Sequence, residues 1–141
     1  MAAFNKFQDY QEQLHLAKHD WSAAGHVFKV YASNAVPSAS ADAVKADLAE
    51  ITPANGYPSG GSDIQNAMSE TTGTVTVTAV DVVWTAGGGS FGPLQYVPFY
   101  NDTQTSPVDP LVGWWDYGSA VTVLDGETFT VDFGASVFTS A

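Results

Sequence analysis

The chain has 141 residues and no cysteine, and its 4 basic residues, all lysines, stand against 15 acids, which gives a formal net charge of −11. The lack of cysteine excludes a disulfide framework, a thiolate zinc site and cysteine catalysis. No basic residue follows Lys45, so the composition predicts neither nucleic acid nor an anionic membrane as a partner.

Residues 1–24 are predicted to form a helical arm, with an amphipathic helix over residues 3–20. Its apolar side chains recur every three or four residues, which places them on one helix face. Gly25 follows as a stop signal, and HVFKVYAS predicts a first strand over residues 26–33. The apolar stripe consists of Phe4, Phe7, Tyr10, Leu14, Ala17 and Trp21.

The helix carries two histidines at a spacing that metal sites use. His15 and His19 stand four residues apart, so two imidazoles on one helix face could share a metal ion. The glutamate of the H-E-x-x-H zinc motif is missing between them. We therefore predict two helix-surface histidines without a metal, and a packed His26 at the start of the first strand.

Residues 34–69 are predicted to form a loop-rich segment. Small residues, prolines and glycines dominate it, and TPANGYPSGG contains the Asn-Gly and Gly-Gly pairs that favour turns. The stretch ADAVKADLAEI predicts either a short helix or an extended run. Neither flank of the segment would build a core alone, so we predict a single domain over residues 1–141.

Residues 70–141 are predicted to form the β-strand core. Threonine and valine alternate in TGTVTVTAVDVVW, and a change of parity inside this run predicts a β-bulge near Ala79. A strand over residues 94–100 contains Pro98, which cannot donate to a ladder and is expected at an edge or a bulge. LVGWW, SAVTVL and ETFTVDF predict three further strands, with a turn at LDGE between the last two.

This pattern of elements predicts a fold class. Short strands separated by turn signals, without alternation of strands and helices, are typical of antiparallel sandwiches and barrels. We predict a mainly β, single-domain antiparallel β-sandwich of jelly-roll or immunoglobulin-like type. The predicted fold also contains the N-terminal amphipathic helix and the long irregular segment.

Two patterns typical of enzymes are incomplete. The stretch GGGSFG over residues 87–92 has the glycine spacing of a dinucleotide-binding loop. Such a loop must open a helix, but Pro93 and an aromatic strand follow here, so we predict a glycine-rich turn. The chain has no G-x-S-x-G elbow, and its three histidines all lie within the first 26 residues, which speaks against a serine triad.

The acids of the second half leave alternatives open. Asp102, Asp109 and Asp116, with Asn101, are either solvated loop residues or oxygen ligands that gather for Ca²⁺, although the EF-hand spacing is absent. Two carboxylates at the spacing of a glycosidase would suffice for a small hydrolase. Such enzymes usually need a deep cleft, which a small sandwich rarely provides. We therefore predict a protein that is not an enzyme and has no cofactor or metal.

The stretch PLVGWWDYGS over residues 110–119 concentrates aromatic surface. If it is a strand, Trp114 and Trp115 point to opposite faces, so one fills the core and the other faces outward. The outward ring has three explanations: cover by loops of the same chain, contact with another subunit, or a carbohydrate platform. The sequence alone leaves all three open.

Four stretches resemble a family of small proteins that tailed bacteriophages encode in their structural gene regions: MAAFNKF, EITPANGYPSGG, GPLQYVPFYNDT and DPLVGWWDYGSAVTVLDGETFTVDF. They cover most of the chain in the same order, and residues 34–49 fit least well. The resemblance implies a virion protein that decorates or cements the capsid, with a tail or fibre component as the alternative. A carbohydrate-binding β-sandwich module is a further alternative.

The resemblance also implies partners and a location. The partners are the major capsid protein and copies of the chain itself, in a homo-oligomer such as a trimer. We expect the chain on the outer surface of the virion head after assembly in the host cytoplasm, because its first 20 residues lack the apolar region of a secretory signal. The residues predicted to meet other subunits are Phe4, Phe7, Leu14, Trp114, Trp115 and Tyr117.

Overall fold

A computed structural model describes residues 4–141 of the chain. The protein is mainly β, with 42% of its residues in strands and a single α-helix within the described range. The helix and the ten strands are β1 (Phe4–Lys6), α1 (Asp9–His15), β2 (Phe28–Val30), β3 (Ser62–Asp63), β4 (Ala67–Thr71), β5 (Thr74–Thr78), β6 (Val82–Thr85), β7 (Phe91–Asn101), β8 (Leu111–Val123), β9 (Thr128–Val131) and β10 (Phe138–Ser140).

The strands form three antiparallel sheets. The largest has five strands in the order β1-β8-β7-β2-β3, and the others have the orders β10-β5-β4 and β6-β9. One hydrophobic cluster joins all three, because it contains Phe99 and Trp115 from the first sheet, Val77 from the second, and Trp84 and Val131 from the third. This arrangement is consistent with a β-sandwich-like fold.

A second cluster covers the opposite face of the five-stranded sheet. Neighbours along a strand alternate between the two clusters, so Phe99 belongs to the first and Tyr100 to the second. Phe7 and Leu48 lie in the second cluster, and the half-buried ring of Trp114 packs against it. The chain around Leu48 therefore covers this face of the sheet.

The predicted helix over residues 3–20 is wrong at both ends, and residue 3 lies outside the described residues. Phe4 pairs with Trp115 across the β1–β8 ladder instead of starting a helix. α1 ends at His15, where the N–H of Lys18 donates to the carbonyl of Gln13 at 2.9 Å. Ala17 has a positive φ of 58°. These are the features of a Schellman termination, with alanine at the position that glycine usually takes.

Pro98 explains why β2 is shorter than the predicted strand over residues 26–33. β7 lies between β8 and β2, so the prediction that Pro98 lies at an edge is wrong, although the β7–β8 register does shift between Phe99 and Tyr100. The regular β2–β7 ladder ends with Val30 opposite Phe99. Tyr31 still donates to the carbonyl of Pro98, but proline has no N–H to return a bond.

The structure differs from three predictions about how the strands are connected. The parity change near Ala79 is not a bulge, because residues 79–81 carry the chain from one sheet to another. LVGWW and SAVTVL belong to one continuous strand, β8. The turn at LDGE does not join paired strands, since β9 pairs with β6.

A partly buried carboxylate connects distant parts of the predicted loop-rich segment. Glu50 accepts hydrogen bonds from the hydroxyl of Tyr57 at 2.7 Å and the N–H of Gly60 at 2.8 Å. Lys45 contacts its second oxygen at 3.1 Å, and the same ammonium lies 4.8 Å from the ring centre of Tyr31. The expected short helix in this segment is a single 3-10 turn at Lys45–Asp47.

Replacing Glu50 with glutamine should lower the free energy of unfolding by about 1–2 kcal/mol, because one amide cannot accept from both sides of this network. If its oxygen faces Tyr57, its N–H₂ group faces the Lys45 ammonium. Denaturant titration would measure the loss. Glu12→Gln on the exposed part of α1 is the control and should change stability little, whereas equal stability of Glu50→Gln and the natural chain would contradict the role of the network.

The only α-helix within residues 4–141 has 7 residues. No helix in this range has the length and apolar character needed to cross a membrane.

Candidate functional site

A groove lies between α1 and the three-stranded sheet. Its volume is about 390 Å³. Tyr10 and Leu14 of α1 form one wall, and the chain that follows the helix contributes His19 and Trp21. The sheet contributes an apolar surface made of Met68, Val75, Val77 and Phe138.

The groove continues along the edge of β10. An adjoining space of about 210 Å³ is also lined by Tyr10, Leu14 and Phe138, and it adds Lys6 of β1 and Thr139 of β10. β1 and β10 are edge strands of two different sheets. The combined groove therefore follows the outer side of β10, at the place where the two sheets meet.

Aromatic rings form the floor of the groove. Trp21 stacks on Phe28 with ring centres 3.6 Å apart, and Phe138 meets Trp21 edge-on at 5.3 Å. The indole N–H of Trp21 donates to the Tyr10 hydroxyl at 3.0 Å. Burial raises the pKa of Tyr10 to about 12, and this hydrogen bond offsets part of the rise, so the hydroxyl is neutral at physiological pH.

The buried side chain of Asn101 holds His19 in place. Its Oδ1 accepts from the backbone N–H groups of Thr103 and Gln104, at 3.0 and 3.2 Å, so its Nδ2 must be the atom that faces the histidines. Nδ2 lies 3.2 Å from Nδ1 of His19 and 2.8 Å from Nδ1 of His26. Nδ2 also donates to the carbonyl of Lys18 at 3.1 Å, and because Nδ2 carries hydrogens and no free lone pair, a neutral imidazole turns an unprotonated Nδ1 towards it.

This contact leaves His19 with an unused donor. An imidazole that accepts at Nδ1 carries its proton at Nε2 when neutral. Nε2 of His19 is buried and has no hydrogen-bond partner among residues 4–141. Burial, followed by the charge of His26, lowers the pKa of His19 to about 4. His19 is thus a neutral, buried donor in the lining of the groove.

Acidic side chains lie at one mouth of the groove. Asp20 belongs to the lining and is exposed, and hydrogen bonds from the side chain and backbone of Ser22 lower its pKa. Glu70 lies two residues from Met68 on β4 and therefore extends from the same face, beyond the residues that line the groove, where its carboxylate accepts from the N–H of Gly73 at 2.6 Å. This mouth carries negative charge at neutral pH.

The groove combines an apolar surface with two neutral polar groups. Tyr10 and His19 are both neutral at physiological pH, so they offer hydrogen bonds within an apolar surface. A search of residues 4–141 finds no group of three or more histidine or acidic side chains that could hold a metal ion. His15 and His19 do not share a helix face, because α1 ends at His15, whose Nδ1 contacts the carbonyl of Gln11 at 2.8 Å.

Comparison with protein-family models, curated proteins and solved structures finds no match for this chain.

The six residues predicted to meet other subunits do not form one surface in the structure. Phe7 is fully buried and Trp115 is 4% exposed, so their assignment to an outer contact surface is wrong: this chain itself covers both rings. Phe4 and Leu14 are half-buried and line the groove. Trp114 and Tyr117 are also half-buried and lie away from it.

Trp114 and Trp115 do point to opposite faces of β8. Trp115 belongs to the first core cluster, and Trp114 packs on Phe7 with ring centres 4.6 Å apart. Tyr117 meets Phe129 at 5.0 Å. Cover by the same chain therefore accounts for Trp115 completely and for much of Trp114.

Two of the three acids weighed as Ca²⁺ ligands have other side-chain contacts, and Asp116 lies in β8 and not in a loop. Asp102 pairs with Lys29 at 3.1 Å, and Asp116 accepts from Gln95 and from the N–H of Gly118. Burial and then the charge of Asp102 raise the pKa of Asp109, and the charges of Lys45 and Lys29 offset part of the rise. The side chain of Asn101 is occupied by the histidine contacts described above.

The sequence did not identify the groove. Met68, Val75 and Phe138 lie far from α1 along the chain, and their common face exists only because β5 pairs with both β4 and β10. Phe138 follows the last predicted strand and carried no separate signal. His19 was predicted on a helix surface, although it lies beyond the end of α1.

Proposed function

We propose that the chain is a non-enzymatic structural protein of a tailed-phage virion that binds the capsid surface as a decoration or cement protein. Its partners would be the major capsid protein and copies of itself. The sequence resemblance over most of the chain supports this role. The location we propose is the outer head surface, after assembly in the host cytoplasm.

The observation that carries the proposal is an apolar groove beside an edge strand. The groove lies next to β10, which pairs only with β5 among the described residues. Apolar grooves and strand edges are surfaces that proteins use to bind other chains. A partner that covers this region would bury Phe138 and the 40% exposed side chain of Met68.

The charge of the chain supports a position outside a DNA-filled shell. The net charge is −11, and residues 46–141 contain no lysine or arginine. Such a surface repels the phosphates of packaged DNA, but it is compatible with a partner that offers lysine or arginine.

We also propose that the three sheets form a β-sandwich of jelly-roll or immunoglobulin-like type. The single cluster shared by Trp115, Val77 and Trp84 supports packing of the two smaller sheets against the large one. An experimental structure of the isolated protein would decide between the two connection patterns.

Cryo-electron microscopy of purified virions tests the proposed location. Density for this chain at symmetry-related positions on the head would support the decoration role. Density confined to the tail or fibres would show that the protein is a tail or fibre component and not a head decoration protein. If the protein is missing from purified particles, the virion role is wrong.

A further inference from the structure

We propose that the groove binds an extended segment of a neighbouring protein chain, which adds beside β10 and inserts an apolar side chain between α1 and the sheet. The segment carries lysine or arginine next to that side chain. This inference deepens the proposed function and rests on it, because it names the kind of partner segment that the structural protein would bind.

The edge of β10 provides backbone groups for such a segment. β10 pairs with Val75–Val77 of β5 through Phe138, Thr139 and Ser140. Within residues 4–141 no strand pairs with its other side. The 210 Å³ part of the groove runs along that side, between Thr139 and Lys6. An added strand is a common way to satisfy such an edge.

The larger part of the groove provides a place for an apolar side chain. Met68 and Phe138 lie opposite Val77 on the two neighbouring strands, so they form one cross-sheet row. Trp21 and Leu14 close the space from the other side. Its volume of about 390 Å³ falls within the range of ligand pockets, and aromatic anchors in such spaces dominate many protein interfaces.

His19 gives the groove a specific polar contact. Its Nε2 donor is buried without a partner among the described residues, and leaving a buried donor unsatisfied is unfavourable. The opposite side of the ring faces Asn101, so Nε2 is turned away from that contact. A carbonyl oxygen is the acceptor that every segment of polypeptide can supply, and it would satisfy this donor.

The mouth of the groove selects the charge of the segment. Asp20 lines the groove, and Glu70 projects from the same face as Met68. Neither carboxylate takes part in an ion pair among the described residues. A lysine or arginine next to the inserted side chain would lie against this negative mouth, whereas an acidic residue would be repelled.

Three capped hexapeptides serve as probes: acetyl-Arg-Xaa-Thr-Val-Thr-Thr-amide, with leucine, phenylalanine or tryptophan as Xaa. Titration into the ¹⁵N-labelled protein should give saturable shifts of the backbone amides of Phe138–Ser140, the indole of Trp21 and the ring nitrogens of His19. A peptide methylated at alternate backbone nitrogens should bind at least about tenfold more weakly, a loss of about 1.4 kcal/mol. Glutamate in place of arginine should also weaken binding.

A matched pair of variants locates the site. Ser140 and Ser69 are both exposed and lie on the two outer strands of the same sheet. Ser140 lines the groove, whereas Ser69 points to the other face, since it neighbours Met68. Ser140→Trp should abolish peptide binding, and Ser69→Trp should leave it unchanged. Thermal melts of both variants would establish that they fold.

Failure of the peptides to bind would overturn the proposal. If none of the three peptides shifts the named resonances, the groove does not bind extended segments. Indole-3-propionate and octanoate are titrated in the same way as small-molecule probes. If either compound saturates the site and none of the peptides binds, the groove is a small-molecule site. Should Ser140→Trp unfold, mapping of the shifts in the natural chain still decides the location.

The two proposals fail separately. A chain that is found on virions but binds none of the peptides keeps its structural role and loses this site. A chain that binds the peptides but is missing from virions keeps the site and loses the capsid as its partner.

Discussion

Replacing Trp115 with alanine should lower the free energy of unfolding by about 3–5 kcal/mol, the usual cost of removing a large buried ring. The side chain is 4% exposed. Its ring centre lies 5.1 Å from that of Phe99 and 5.4 Å from that of Phe133, and it also meets Phe4 at 5.5 Å. Urea or guanidinium denaturation followed by far-ultraviolet circular dichroism would measure the loss.

Trp114 is the matched control for this experiment. It is the adjacent residue of the same strand, but it is half-buried and its close ring contact is with Phe7. Trp114→Ala should therefore cost less, about 1–2 kcal/mol, because less apolar surface is lost from the interior. Equal losses for the two variants, or a larger loss at Trp114, would contradict the assignment of Trp115 to the core.

Acidification should destabilise the protein through His19. The pKa of this group is 6.5 as a free side chain and about 4 in the folded protein, so the unfolded chain binds the proton more strongly. The stabilisation is complete above pH 6.5 and is lost as the pH falls from 6.5 towards 4. The total loss is about 3 kcal/mol. Denaturant titrations across this interval would measure it.

The structure gives a reason for this pH dependence. Protonation puts a hydrogen on Nδ1 of His19, which then opposes the Nδ2 donor of Asn101 across 3.2 Å. The same amide group faces His26, and the neutral ring of Tyr10 lies 5.0 Å away, so no acid in these contacts compensates the new charge. Asp20 is the next residue along the chain but is exposed.

A pair of glutamine variants separates His19 from the other titrating groups. His19→Gln should flatten the stability profile between pH 6.5 and about pH 4 relative to the natural chain. His15→Gln replaces an exposed ring on α1 and should retain the profile of the natural chain. If His19→Gln and the natural chain lose stability in parallel, the buried neutral histidine is not the cause.

The fold class was predictable because alternation along a strand is a local property. The Val-Thr run at residues 74–78 and the opposite faces of Trp114 and Trp115 need only the two-residue period of extended chain. Strand partners were not predictable in the same way: β9 pairs with β6 and not with the preceding strand β8.

The error in the N-terminal helix has a physical cause. The spacing of Phe4, Phe7 and Tyr10 suits one face of a helix, but β8 offers Phe4 a backbone ladder and the rings of Phe99 and Trp115. Tertiary contacts of this size override a weak helical preference. Nothing within the first 20 residues indicates that such a strand partner exists.

The groove was even less accessible to sequence analysis. Phe138, Met68 and Leu14 become neighbours only after three separate parts of the chain have folded. The role of Asn101 likewise depends on two histidines about 80 residues earlier in the sequence. The sequence offered Asn101 only as one possible oxygen ligand for Ca²⁺, whereas in the structure its amide contacts two imidazoles.

The order of strands in the largest sheet has a consequence for biosynthesis. β1 and β2 emerge first from the ribosome, but their partners β8 and β7 follow only after residue 90. Such distant pairings are slow to form because a long loop must close before any contact is gained. We expect the adjacent strands β7 and β8 to pair first, while β1 and β2 remain unpaired. We therefore expect nascent chains truncated before residue 111 to aggregate or to bind chaperones.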